Sequence, residues 1–159
     1  MRCASSVAIP MVTRHTGSAV WAALALLLLA ACNDPAIAPS QQDVSRERAL
    51  WSAHHLSRYA YVYELTGFLV NYAGHPIRLV VLADTVRSAT DMTTGDSVPG
   101  AATFPTLDGL FDQALAALSA GTLKAITYDS VFAFPSRMDL SGPPDASGSV
   151  LASSLELLP

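Results

Sequence analysis

The chain has 159 residues, enough for one domain, with a mean hydropathy of +0.36 and a formal charge of −4 at pH 7. That acidic balance excludes the clustered Lys and Arg that bind nucleic acid and the polybasic segments that bind anionic lipid. Its two cysteines, Cys3 and Cys32, both stand near the N-terminus, so no disulfide framework staples the body of the chain.

The first element is a leader. Ala19 to Ala31 is an uncharged apolar run, shorter than the roughly 20 residues needed to span a bilayer. It fits the apolar centre of a signal peptide, with Arg2, Arg14 and His15 as its basic flank. Met11 is an alternative start, because Met11 to His15 already supplies a basic n-region. The run ends in Leu29-Ala30-Ala31-Cys32, which resembles the lipobox of bacterial lipoproteins. On this reading residues 1–31 are removed as the signal peptide, with Leu29, Ala30 and Ala31 recognised by the signal peptidase. The Cys32 thiolate takes the diacylglycerol and becomes the first residue of the mature protein. Each buried CH₂ of the acyl chains contributes ~0.8 kcal/mol, so two or three chains hold the protein to the membrane stably. Cleavage removes Arg2 and Arg14 from the nine basic residues and none of the 13 acids, leaving the mature chain at net −6 without a free thiol. Asn33 rather than Asp follows Cys32; by analogy with enterobacterial sorting the expected location is the outer membrane, facing the periplasm, rather than the inner membrane.

Residues 32–42 then read as a tether, with two prolines and little to bury. Residues 43–159 read as one globular domain. Ser40-Gln41-Gln42-Asp43 resembles a capping box and predicts a helix from about Gln41 to Ser57, with a loose apolar arc of Val44, Leu50, Trp51 and His55. Tyr59 to Leu65 alternates and is aromatic, which predicts a strand. Asn71 to Pro76 is turn chemistry. Ile77 to Leu82 and Thr85 to Thr90 predict a hairpin closed at Ala83-Asp84, and Asp91 to Pro105 a loop. Thr106 caps a second helix, whose Leu107, Leu110, Phe111, Ala114, Leu115 and Leu118 share one face and which Gly121 ends. Leu123 to Tyr128, Ser136 to Leu140 and Val150 to Leu157 predict three more strands. The expected fold is α+β, in the order α-βββ-α-βββ: an antiparallel sheet of five to six strands with two helices packed on one face.

Several residues are similar to one known family: Trp51 followed by Tyr59-Ala60-Tyr61 and Phe68; Pro76-Ile77-Arg78-Leu79-Val80-Val81; Pro105-Thr106-Leu107-Asp108-Gly109-Leu110-Phe111-Asp112; Tyr128-Asp129 and Phe134-Pro135. The chain resembles the bacterial lipoproteins catalogued as domain of unknown function 6174. The resemblance covers nearly all of the chain after the tether and implies a fold and a lipoprotein class, not a mechanism. Relatives commonly carry Cys-Phe-Cys where this chain has Gly67-Phe68-Leu69, so any chemistry of that cysteine pair is absent here.

Candidate chemistry is sparse. His54 and His55 are adjacent on the first predicted helix and project about 100° apart, not on one face as a metal pair requires. His75 precedes a proline in a turn, so no metal or cofactor is expected even with Asp84 or Asp129 nearby. No nucleophile elbow is present. Asp108 and Asp112 suit the positive end of the second helix, and Asp129 suits a turn. Tyr59, Tyr61 and Tyr63 point to one side of a strand. With Trp51 they make either a ligand-binding aromatic surface or, more commonly for such a stripe, a cluster packed against a helix. The expected function is that of a non-catalytic envelope lipoprotein binding a protein, peptide or glycan through the exposed sheet face or the Asp91–Pro105 loop. The alternative is an envelope hydrolase whose acidic residues converge in a cleft.

Overall fold

The computed structural model describes residues 38–67, 72–142 and 147–159. Leu29, Ala30, Ala31 and Cys32, most of the tether, and Phe68 and Leu69 lie outside the described residues. Among the described residues, two helices, α1 (Gln41–Ser52) and α2 (Leu107–Ser119), accompany six strands. These are β1 (Arg58–Thr66), β2 (Ile77–Leu82), β3 (Thr85–Asp91), β4 (Leu123–Tyr128), β5 (Pro135–Leu140) and β6 (Gly148–Leu157). They form one sheet in the order β3-β2-β1-β6-β5-β4, antiparallel throughout. The α+β class and the order α-βββ-α-βββ are those expected from the sequence. Each helix precedes a three-stranded meander, and the seam between the meanders joins β1 to β6 at the centre of the sheet.

Local chemistry sets the helix boundaries. The Ser40 side chain accepts from the Asp43 N–H at 3.1 Å and starts α1. Asp43 does not reach back to the backbone of Ser40, as a full capping box would; its carboxylate accepts from the Ser40 hydroxyl instead. The helix stops at Ser52, earlier than the expected Ser57, because His55 turns into the left-handed region at φ 52°. Thr106 caps α2 by accepting from Gly109 N–H at 3.1 Å, and Gly121 at φ 69° follows its end. Ala83 and Asp84, at φ 49° and 56°, make the two-residue turn joining β2 to β3; two successive positive φ values match the twist of the strands.

The core lies between the helices and one sheet face. Period-two alternation turns Tyr59, Tyr61, Tyr63, Ile77, Leu79, Val81, Met138, Val150 and Ala152 inward. They meet Val44 and Trp51 of α1 and Leu107, Leu110, Phe111 and Ala114 of α2. Leu50 departs from the expected apolar arc and is 52 % exposed. Geometry explains it: Trp51 follows Val44 by two full turns, whereas Leu50 falls about 120° off their line. The opposite sheet face is polar at its margins. There Arg78 on β2 reaches Glu156 on β6 at 2.6 Å, bridging β1 beside the buried Ala60.

Register shifts place one extra residue in several strands. Arg87 is the extra residue of β3 and Lys124 that of β4. A third shift, opposite Ala60–Val62, accommodates Ser154 in β6 at φ 55°.

Candidate functional site

The aromatic stripe proves to be core. Trp51, Tyr59, Tyr61 and Tyr63 are all buried, which favours the packed-cluster reading of these four residues over the ligand surface; of the four, Trp51 alone also edges one of the hollows described below. Trp51 packs edge-on against Tyr59 at 5.7 Å and Phe134 at 6.1 Å, and Tyr63 against Phe104 at 6.0 Å. Their polar atoms build the start of α2. The Tyr61 hydroxyl donates to the Pro105 carbonyl, and the Tyr59 hydroxyl accepts from Leu107 N–H at 3.2 Å. The Trp51 indole N–H donates to Asp108 at 3.0 Å. Arg48 of α1 meets Asp112 of α2 at 2.7 Å. Each residue of Pro105-Thr106-Leu107-Asp108 therefore holds a named structural bond, and burial sets the phenols' ionisation. Tyr59 and Tyr63 are pushed up to about 12, and Tyr61 well above its ordinary value, chiefly by desolvation.

Asp129 closes a turn. Its side chain accepts from Val131 N–H at 2.9 Å and Phe132 N–H at 2.7 Å, and its own N–H donates to the Phe134 carbonyl at 2.8 Å. His75 joins neither Asp84 nor Asp129. Its Nδ1 lies 2.7 Å from the buried Asp91 carboxylate, tying the turn before β2 to the end of β3. That bond from His75, with help from Thr93 and Thr94 N–H, holds the Asp91 carboxyl below its usual range. Among the described residues no three His, Cys, Asp or Glu side chains gather as a metal site, and no helix is long and apolar enough to cross a membrane.

Two accessible concavities flank the last turn of α1. The larger, of about 710 Å³, lies between α1 and the β4–β5 connection; Leu50, Ala53, Val131 and Ala133 give it apolar walls, and Glu47, His54, Tyr128 and Asp129 its polar ones. Leu50 and Val131 are 52 % and 69 % exposed. The His54 ring sits 5.1 Å from that of Phe132. Tyr128 stacks on Phe111 at 6.3 Å; its hydroxyl is buried without a hydrogen-bond partner, and its pKa rises to about 12 through desolvation, then through Glu47 and Asp43. The smaller hollow, of about 310 Å³, is polar and is lined by Trp51, Ser52, His55, Ser57, Asp84 and Asp108. The adjacent histidines line different hollows, but not through a helical offset: both lie beyond the end of α1 at Ser52, and the left-handed turn at His55 separates their side chains.

Sequence reasoning missed this corner because it assigned Leu50 to the core and ran α1 on to Ser57. A stricter count of helical positions from Val44 isolates Leu50 on the outside. The meeting of Asp84 with Asp108 is set by the hairpin turn at Ala83–Asp84, which no local pattern places beside α2.

The model of a family of unknown function (DUF6174) matches residues 43–148. The chain belongs to this family. No curated protein and no solved structure matches it. The match spans the segments that carried the resemblance, and the family's Pro105–Asp112 run corresponds to the bonded start of α2 described above.

Proposed function

We propose that this member of the family is an exported envelope lipoprotein, anchored through Cys32, whose domain is a non-catalytic binding module. The lipoprotein part rests on the Leu29-Ala30-Ala31-Cys32 register behind an apolar run and a basic flank. The binding part rests on one observation: Leu50 and Val131 stand exposed over the larger of the two hollows, on α1 and on the β4–β5 connection. Two solvent-facing aliphatic side chains at the mouth of a concavity are a feature of recognition surfaces. This corner replaces the aromatic stripe as the binding surface.

The experiment is affinity capture from the protein's own envelope with the full-length chain and with a Leu50→Glu, Val131→Glu variant as baits. A partner held by the parent and lost by the variant supports the reading. Equal recovery by both removes this corner from the binding surface.

The second hollow favours one other reading, that of a hydrolase, since Asp84, Asp108 and His55 share its wall. Asp108 already accepts the Trp51 N–H, which commits one of its oxygens to structure. Hydrolysis of chromogenic ester or glycoside substrates that is abolished by Asp84→Asn establishes this alternative; equal rates for parent and variant dismiss it.

A further inference from the structure

The corner has a charge asymmetry that says what kind of partner fits it. No Lys or Arg lines either hollow, whereas Glu47 and Asp129 line the larger and Asp84 and Asp108 the smaller. The two basic residues of α1 are both held in ion pairs, and that of Arg46 takes up Glu47 of the larger hollow, leaving Asp129 as its unpaired carboxylate. Arg46 pairs with Asp43 and Glu47, and Arg48 with Asp112. Asp84, Asp108 and Asp129 make no ion pair with any described residue. Between them ends α1, with no basic residue in its last turn. The negative end of the helix dipole, worth about half an elementary charge, is therefore added to three carboxylates that lack an ion-pair partner, of which Asp108 and Asp129 already accept N–H bonds. Concave, low-dielectric walls focus such a field. Apolar contact is supplied separately, by Leu50, Ala53 and Val131 on the side of the larger hollow.

We propose that this corner docks a peptide segment of a protein partner that carries a Lys or Arg next to an aliphatic side chain. The aliphatic group lies between Leu50 and Val131, and the cation faces the carboxylates around the end of α1. A neutral glycan is a poorer occupant, because sugar rings pack on exposed aromatic faces and Trp51 and the three β1 tyrosines are inside. Nucleic acid and anionic lipid are repelled by the same field. The inference rests on the binding reading above and adds the partner's chemistry to it.

The test is a fluorescence-anisotropy titration of the full-length chain, held in neutral detergent, with three labelled synthetic peptides. The first alternates Lys and Leu between glycines, the second has Glu for each Lys, and the third has Gly for each Leu. The Lys-Leu peptide should bind, the Glu-Leu peptide should not, and the peptide lacking Leu should bind about tenfold more weakly. Leu50→Ser should weaken the Lys-Leu peptide by a similar factor. So should the pair Asp84→Asn, Asp129→Asn, and raised salt should diminish the effect of that pair. All three positions are at least partly exposed, and the amide in Asp129→Asn keeps an oxygen to close the turn, so circular dichroism should show parent-like folding. Equal binding of the Glu-Leu peptide overturns the proposal. So does binding indifferent to Leu and to Leu50→Ser, which is cation attraction alone, or self-association lost with Leu50→Ser, which makes a second copy the occupant. If no peptide binds while envelope capture still depends on Leu50 and Val131, the cationic assignment falls and the binding reading stands. If both fail, the binding reading falls too.

Discussion

At the scale of single residues, the domain places its aromatic groups where their two ends have different work. Trp51, Tyr59 and Tyr61 fill the core with their rings and tie down the first turn of α2 with their polar atoms. Trp51→Phe shrinks a buried ring and deletes one hydrogen bond to a carboxylate, so it should cost about 2–4 kcal/mol in urea unfolding. A shift indistinguishable from zero would mean that the bond to Asp108 is worth nothing net. Phe111 is fully buried, stacked on Tyr128 of β4, and Phe111→Ala should cost ~3–5 kcal/mol. Gln113 is exposed on the same helix, and Gln113→Ala should change little. Equal, small shifts for both would deny that this face of α2 is the core face. The tyrosines also set the alkaline limit. Their folded pKa values, about 12 for Tyr59, Tyr63 and Tyr128, exceed the ordinary value near 10. The stability they contribute is complete below pH 10 and is lost as pH rises from there towards 12. Urea midpoints measured from pH 9 to 12 should therefore fall steeply above 10; a flat profile would place these phenols in water.

At the scale of elements, the sheet has two edges, β3 and β4, and each is blunted in the same way. The C-terminal part of β3 is covered by Ser97–Val98, which bridge Thr90 and Ala89; the remaining part carries the extra residue Arg87. The β4 edge carries Lys124 as its extra residue. A bulge bearing a cation interrupts the ladder that another chain would extend. Replacing Arg87 and Lys124 together by Val should raise light scattering at high protein concentration without lowering the unfolding midpoint. Unchanged scattering would mean that the edges are protected otherwise. Most of this level was legible in sequence, because period-two and period-3.6 patterns are local: β2, β4 and the apolar face of α2 fall where expected. The corner at the end of α1 was not legible. Leu50 and Trp51 are neighbours that look equally apolar, and only their phase against Val44 separates core from surface. Tyr59, Tyr61 and Tyr63 gave the correct shared face, but a sequence does not say which face the helices cover. The positive φ of His55 has no residue-type signal either, since it arises where the chain turns from α1 into β1.

At the scale of the whole molecule, the domain holds its own core: buried side chains of both helices and of the sheet meet in one cluster, with Val44 near the start of α1 and Val150 and Ala152 in β6. A chain truncated to begin at Ser40 should remain soluble and fold cooperatively without any lipid, and broad, non-cooperative unfolding would contradict that. Such domains are stable by only ~5–15 kcal/mol, and no disulfide supplements this one. On the proposed reading, a lipid on Cys32 would set the domain's place and not its folding, holding an acidic binding corner at a membrane surface. The measurement that tests this account most directly is mass spectrometry of the N-terminal peptide of the protein extracted from membranes. The account predicts a peptide that begins at Cys32 and carries a diacylglyceryl thioether, with an unprocessed precursor in the Cys32→Ser variant. A mature protein that begins elsewhere, or that begins at an unmodified Cys32, would contradict it.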